Sequence, residues 1–173
     1  VCVRGPQVMK GYWNQPEETE NVLKEQLPAL EMSHLSPGAA SYRLHTGDVG
    51  VMDEDGYIYI VDRIKDMIAM GAFKVYPRHV EEVIYQHPAV EECVVAGIPS
   101  PTRGQIVKAF IKLRSGQSLT KAELTFFLQD KLSSIEMPRQ VEFRDILPKT
   151  AVGKLSRRLM IEEETRQPIA REA

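Results

Sequence analysis

Short apolar or alternating runs bounded by turn residues recur along the chain, and each predicts a strand. Val1 to Arg4 alternates and ends at Gly5-Pro6. Val49 to Asp53 and Tyr57 to Asp62 flank Glu54-Asp55-Gly56. Asp-Gly between two such runs predicts a hairpin, because the tight turn needs a positive φ. Further strands are expected at Met67 to Met70, at Val90 to Ile98 with Pro99 as its stop, at Ile106 to Leu113 and at Val141 to Asp145. Elsewhere the period lengthens to that of a helix. Pro16-Glu17-Glu18-Thr19 places Pro in a first turn and acids at the positive helix end, with Val22, Leu23 and Leu27 facing inward. Pro77 to His87 carries Val80, Val83, Ile84 and His87 on one face. Thr120-Lys121-Ala122-Glu123 is a capping box ahead of Leu124, Phe127, Leu128 and Leu132. A short, highly charged helix is expected from Lys154 onward.

The order after Asp66 is strand, helix, strand, strand, helix, strand. It predicts an α+β class: a small mixed-sheet domain with packed helices, over residues 64–165. Residues 1–63 read as strands and loops with too little core to stand alone, the β-rich end of another, larger domain. Pro28 to Tyr42 is rich in Ser, Pro, Gly and Ala and is expected to be a mobile surface loop. Residues 166–173 are expected to be a disordered tail. The first residues read as a strand already under way, without an initiator Met, so the chain is expected to be a piece of something longer.

Composition narrows the function classes. The chain has 173 residues, 43% hydrophobic and 27% charged, as in ordinary soluble globular proteins. A net charge of -2 without a long basic run argues against nucleic acid as the main partner. Cys2 and Cys93 lie far apart and outside any C-x-x-C pair, so neither a disulfide framework nor a zinc site is suggested. A reduced, cytoplasmic setting is the default expectation. No apolar run approaches the ~20 residues that span a bilayer.

Candidate chemistry concentrates in the stretch from His45 to Pro77 and at Lys154. Asp48 follows Thr46-Gly47 in a tight turn. Its carboxylate can accept two hydrogen bonds from a ribose diol, or it can simply satisfy backbone N–H groups of the turn. Arg63 and Lys65, flanked by Asp62 and Asp66, are either a solvated strand end or a nucleotide contact followed by a swivel. Lys154 follows Gly153, but this is no P-loop. The Walker pattern needs Gly at position 148, where Pro stands, and Ser or Thr at position 155, where Leu stands. Lys154 is therefore a lysine on a Gly-flexed loop, either merely exposed or reaching an oxyanion as a point charge. Asp53-Glu54-Asp55-Gly56 lacks the other ligands of a calcium loop, the four histidines are scattered, and no metal site is expected. Met52, Met67 and Met70 are expected in the core.

Taken in order, these pieces resemble the adenylate-forming superfamily of acyl-CoA synthetases, aryl-CoA ligases, luciferases and nonribosomal adenylation domains. The matching residues are Arg4-Gly5-Pro6, Gly11-Tyr12-Trp13, Pro16-Glu17-Glu18-Thr19, Thr46-Gly47-Asp48, Asp55-Gly56-Tyr57, Asp62-Arg63-Ile64-Lys65-Asp66, Phe73-Lys74-Val75-Tyr76-Pro77 with Val80-Glu81, Pro148-Lys149-Thr150 and Gly153-Lys154. The flavour is that of fatty acyl-CoA synthetases. Arg43 departs from the usual aromatic, and the link of residues 28–42 is longer than usual.

The resemblance implies a two-step ligase. A carboxylate attacks the α-phosphate of Mg-ATP to give acyl-AMP, and the thiol of CoA then displaces AMP. A small domain rotates between the steps. By motif, Asp48 would hold the ribose hydroxyls, Arg63 would contact the same nucleotide, Lys65 would be the hinge, and Lys154 would be the catalytic lysine of adenylation. Gly71, Ala72 and Phe73 would line the pantetheine channel, and Lys74 and Arg103 are candidates for the CoA phosphates. ATP/AMP and CoA are the implied cofactors. Mg2+ would be held mainly by a large N-terminal domain that is also the main partner and carries the phosphate loop and acyl pocket. On this reading the chain alone is expected to be inactive. The competing reading is a non-catalytic binding or carrier-interacting module of the same fold.

Overall fold

The computed structural model describes residues 1–25 and 42–166. The chain divides into two units, Val1–Lys65 and Asp66–Ala173. The loop expected over residues 28–42 and the tail expected over 166–173 fall almost wholly outside the described residues, as does Leu27.

In the first unit, β1 (Cys2–Val3), β2 (Leu23–Glu25) and β3 (Tyr42–His45) form an antiparallel sheet in the order β1-β3-β2. The helix α1 (Pro16–Val22) leads directly into β2. Leu23 therefore belongs to a strand rather than to the inner face of a helix. The expected hairpin is β4 (Asp48–Met52) paired antiparallel with β5 (Ile58–Arg63). Asp53 closes its turn, accepting from the N–H groups of Asp55 at 3.1 Å and Tyr57 at 2.8 Å, and Gly56 takes φ +87°. Met52, expected in the core, is instead 67% exposed, because it lies on a two-stranded ribbon over which no layer of the described residues of the unit packs on that side.

The second unit is built on β9 (Gly104–Leu113). It pairs antiparallel with β8 (Val90–Ser100), parallel with β10 (Gln140–Phe143), and through Gly104 with β6 (Ile68–Met70), which continues into β7 (Phe73–Val75). Side chains alternate across a strand. Here both faces are covered, so the apolar run of β8 is continuous rather than alternating. Cys93, Val95, Val107, Ala109 and Ile111 face one core with α2 (Pro77–Ile84) and α3 (Lys121–Leu128). Val94, Ala96 and Phe110 face a second core with Leu147 and with Met160 of α4 (Arg157–Arg166). The capping box of α3 forms as expected, with Thr120 accepting from the N–H of Glu123 at 3.2 Å and Glu123 accepting from the N–H of Thr120 at 2.8 Å.

Several boundaries differ from the sequence expectation. Pro99 does not stop β8, which pairs only with β9 and so tolerates a proline near its end. The helix α2 ends at Ile84, and Tyr85 then donates to and accepts from the backbone of Cys93. Phe127 is half-buried, with the Lys131 ammonium 3.4 Å from its ring centre. The strand β7 carried no recognised strand signal, being short and mostly exposed. The last helix starts at Arg157, not Lys154.

Candidate functional site

The candidate residues gather in two places, one per unit. In the first unit, Gly47 takes φ +76°, and the Thr46 hydroxyl accepts the N–H of Asp48 at 3.1 Å. This turn sets Asp48 at the first position of β4, directly opposite Arg63, the last position of β5. The Asp48 carboxylate lies 3.5 Å from Nε of Arg63, with the aspartate side chain 26% and the arginine side chain 61% exposed. Asp62, buried beside them, accepts the backbone N–H of Arg63 at 2.7 Å. A partly exposed carboxylate can accept from a diol, and an exposed guanidinium beside it can donate to a phosphate.

Lys65 sits exposed in the single 3-10 turn Ile64–Asp66 and is the last residue of the first unit. The chain thus passes between the units at the residue whose motif implied a hinge.

In the second unit, Gly71 and Ala72 are the two-residue turn joining β6 and β7, since Met70 pairs with Phe73. Gly71 has φ +60° at the first turn position, the pattern of a type II′ hairpin. Phe73 and Lys74 follow, both exposed. Met70 also pairs with Gly104, so exposed Arg103 is carried to the same sheet end as this hairpin tip. No local pattern along the chain brings residues 71–74 and 103 to one sheet end; the β6–β9 pairing does.

Lys154 lies on the return arm of a small hairpin. Lys149 bridges Leu155, the Thr150 N–H donates to the Lys154 carbonyl at 2.7 Å, and Gly153 takes φ +78° in the turn. Leu155 packs toward the second core, so the adjacent side chain of Lys154 is directed outward, where it is exposed. Its ammonium has no ion-pair partner among the described residues. Lys149, by contrast, is held by Glu92 of β8 at 2.5 Å.

The sequence reading missed one junction. Arg157 donates from Nε to the Val95 carbonyl at 2.7 Å, from Nη1 to Asp66 at 3.0 Å and from Nη2 to Glu81 at 2.7 Å. Glu81 also accepts the Val95 N–H at 2.8 Å. These partners lie 62 to 91 residues before Arg157, so no local pattern announces them. The buried thiol of Cys93 is pushed up by burial and, more weakly, by Glu81, which leaves it a neutral core group. Among the described residues no three His, Cys, Asp or Glu side chains converge to hold a metal, so none is assigned to Mg2+. No described helix is long and apolar enough to cross a membrane.

The second unit is thus a sheet flanked by helices on both faces that displays a lysine on a Gly-turned hairpin. Residues 79–154 match the model of the AMP-binding enzyme C-terminal domain. The chain belongs to the adenylate-forming superfamily. It is 48% identical, over 95% of its length, to a long-chain-fatty-acid–CoA ligase of Bacillus subtilis (strain 168), of which it covers 27%. It superposes on ATP-bound MatB from Rhodopseudomonas palustris with a TM-score of 0.78 and 30% identity, covering 96% of this chain and 31% of that one. The amide bond synthetase McbA from Marinactinospora thermotolerans gives 0.75 and 36%, covering 94% of this chain and 30% of that one. The chain spans about a quarter of the length of the curated relatives it matches.

Proposed function

We propose that this chain is the C-terminal part of an AMP-forming acyl-CoA ligase that activates a fatty acid as acyl-AMP and transfers it to CoA. The observation that carries this reading is the 48% identity to a long-chain-fatty-acid–CoA ligase over 95% of the chain. In this reading residues 1–63 complete the AMP-binding domain and residues 64–165 are the mobile domain. Asp48 accepts hydrogen bonds from the ribose hydroxyls, and Arg63, tied to it, contacts the same nucleotide. Lys154 supplies a fixed positive charge where the carboxylate and α-phosphate oxygens approach, so it acts by electrostatic stabilisation rather than by proton transfer. Lys65 is the hinge about which the small domain turns between the steps. In the second orientation the Gly71-Ala72-Phe73 turn lines the thiol's channel, with Lys74 and Arg103 toward the CoA phosphates. ATP, CoA and the acid are the small-molecule partners, and the large domain binds the Mg2+ that neutralises the phosphates. In this reading the chain is inactive alone, since it spans about a quarter of the relatives' length.

Lys154→Ala in the full-length enzyme tests this. Loss of one such charge is expected to slow acyl-AMP formation by roughly 100- to 1,000-fold, read as pyrophosphate exchange. Thioester formation from preformed acyl-AMP is expected to survive. Equal loss of both half-reactions would refute the role of Lys154. Lys65→Pro, which locks φ, is expected to stall the second step, and an unchanged second-step rate would refute the hinge.

A further inference from the structure

We infer that Arg157 is a positioning residue for Lys154, holding the stem of the Lys154 hairpin to the segment that leaves the hinge. The inference rests on the role of Lys154 proposed above.

Only Leu155 and Ser156 separate the two residues. Ser156 is buried directly before α4, its carbonyl accepting the Met160 N–H at 3.3 Å and its N–H donating to the Pro148 carbonyl at 2.9 Å. Leu155 packs toward the Val94–Phe110–Met160 core. Arg157 then enters a mostly buried junction, with 18% of its side chain exposed and three acceptors taken from three separate elements. The Val95 carbonyl belongs to β8, on the side of the strand turned away from β9. The Glu81 carboxylate belongs to α2 and is itself fixed by the Val95 N–H. The Asp66 carboxylate belongs to the residue directly after Lys65.

A planar guanidinium with donors in a fixed fork is suited to such a junction. One side chain makes the exit of the hinge, the first helix of the unit, the central sheet and the base of the Lys154 hairpin move together. On the other stem of that hairpin, the charged tether is the more exposed Lys149–Glu92 pair. A swinging domain that must deliver one ammonium to a defined spot needs this stiffness. A misplacement of about 1 Å can cost as much as ~100-fold in rate. Lys154 acts only in adenylation, so the effect of Arg157 belongs to that step alone.

The test is a cycle in the full-length ligase with Arg157→Gln, Lys154→Ala and the double variant. Each is read by pyrophosphate exchange, by thioester formation from preformed acyl-AMP and by thermal melting. Arg157→Gln is expected to slow adenylation by roughly 10- to 100-fold. It is expected to change thioester formation by less than about threefold, and to add nothing to the adenylation defect of Lys154→Ala. Equal loss in both half-reactions, or a loss that multiplies with Lys154→Ala, would mean that Arg157 only stabilises the fold and would overturn the inference. Normal adenylation in Arg157→Gln alongside a crippled Lys154→Ala overturns this inference and leaves the proposed function standing. Normal adenylation in Lys154→Ala overturns both. Arg157→Lys keeps the charge but not the fork, and is read the same way if Arg157→Gln melts below the assay temperature.

Discussion

Replacing Lys108 with Met should destabilise the second unit far more than loss of an ordinary surface lysine. Lys108 is in the middle of β9, on the face that packs against α4, with 10% of its side chain exposed. Its ammonium lies 2.8 Å from Glu142 of β10 and 2.8 Å from Glu164 of α4, and 4.8 Å from the Phe110 ring centre. Met fills nearly the same space, so the loss is mainly of charge. Removing one partner of a buried pair costs about 3–5 kcal/mol, because the other charge stays behind. Arg144 remains 2.6 Å from Glu142 and 3.5 Å from Glu164, which argues for the lower end, about 3 kcal/mol. With an m-value of about 2 kcal/mol/M, the urea midpoint should fall by about 1.5 M. Far-UV circular dichroism is the assay, because Trp13, the sole tryptophan, lies in the other unit. Lys108→Met combined with Glu164→Leu should recover much of the loss, since a buried pair exchanged for apolar groups is often neutral. A single-variant loss below about 1 kcal/mol would refute the reasoning, since that is the range of a solvated pair.

The same cluster sets an acid limit. Partial burial pushes the Glu142 carboxyl up, but hydrogen bonds from Lys108 and Arg144 outweigh it and hold the pKa below its ordinary value of 4.5. The folded value lies below the unfolded one, so this contribution is fully present above about pH 4.5 and is lost as pH falls through the folded value. Urea midpoints measured from pH 6 downward should therefore drop less steeply in Lys108→Met than in the parent, and parallel curves would contradict this. Leu124→Ala, at a fully buried site of α3, should cost about 3 kcal/mol from the cavity left, and a loss under about 1 kcal/mol would mean the site collapses freely. In a thiol assay on the folded chain, exposed Cys2 should react at once while Cys93, buried and held neutral, should react only on unfolding. Two fast thiols would show that the β8 core opens readily.

The local elements were legible because their causes are local. Asp-Gly made the β4–β5 hairpin, Thr120 and Glu123 capped α3, and Pro77 opened α2, each within a few residues of sequence. The superfamily was legible too, because its motifs are short and ordered along the chain. Asp48 and Arg63 became neighbours simply because the hairpin that joins them fixes its register.

What only the tertiary structure decided is how the pieces are bound together. Lys108 in an apolar strand looks like an interruption until Glu164, 56 residues later, arrives beside it. A helix is expected from Lys154 onward, yet Lys154 sits on a hairpin arm because Lys149 pairs with Leu155 and the helix begins only at Arg157. Arg157 meets Asp66 across 91 residues. Such contacts depend on how sheets and helices stack after the local elements have formed. No periodicity or spacing along the chain encodes them, whereas each hairpin and cap is set by the few residues that make it.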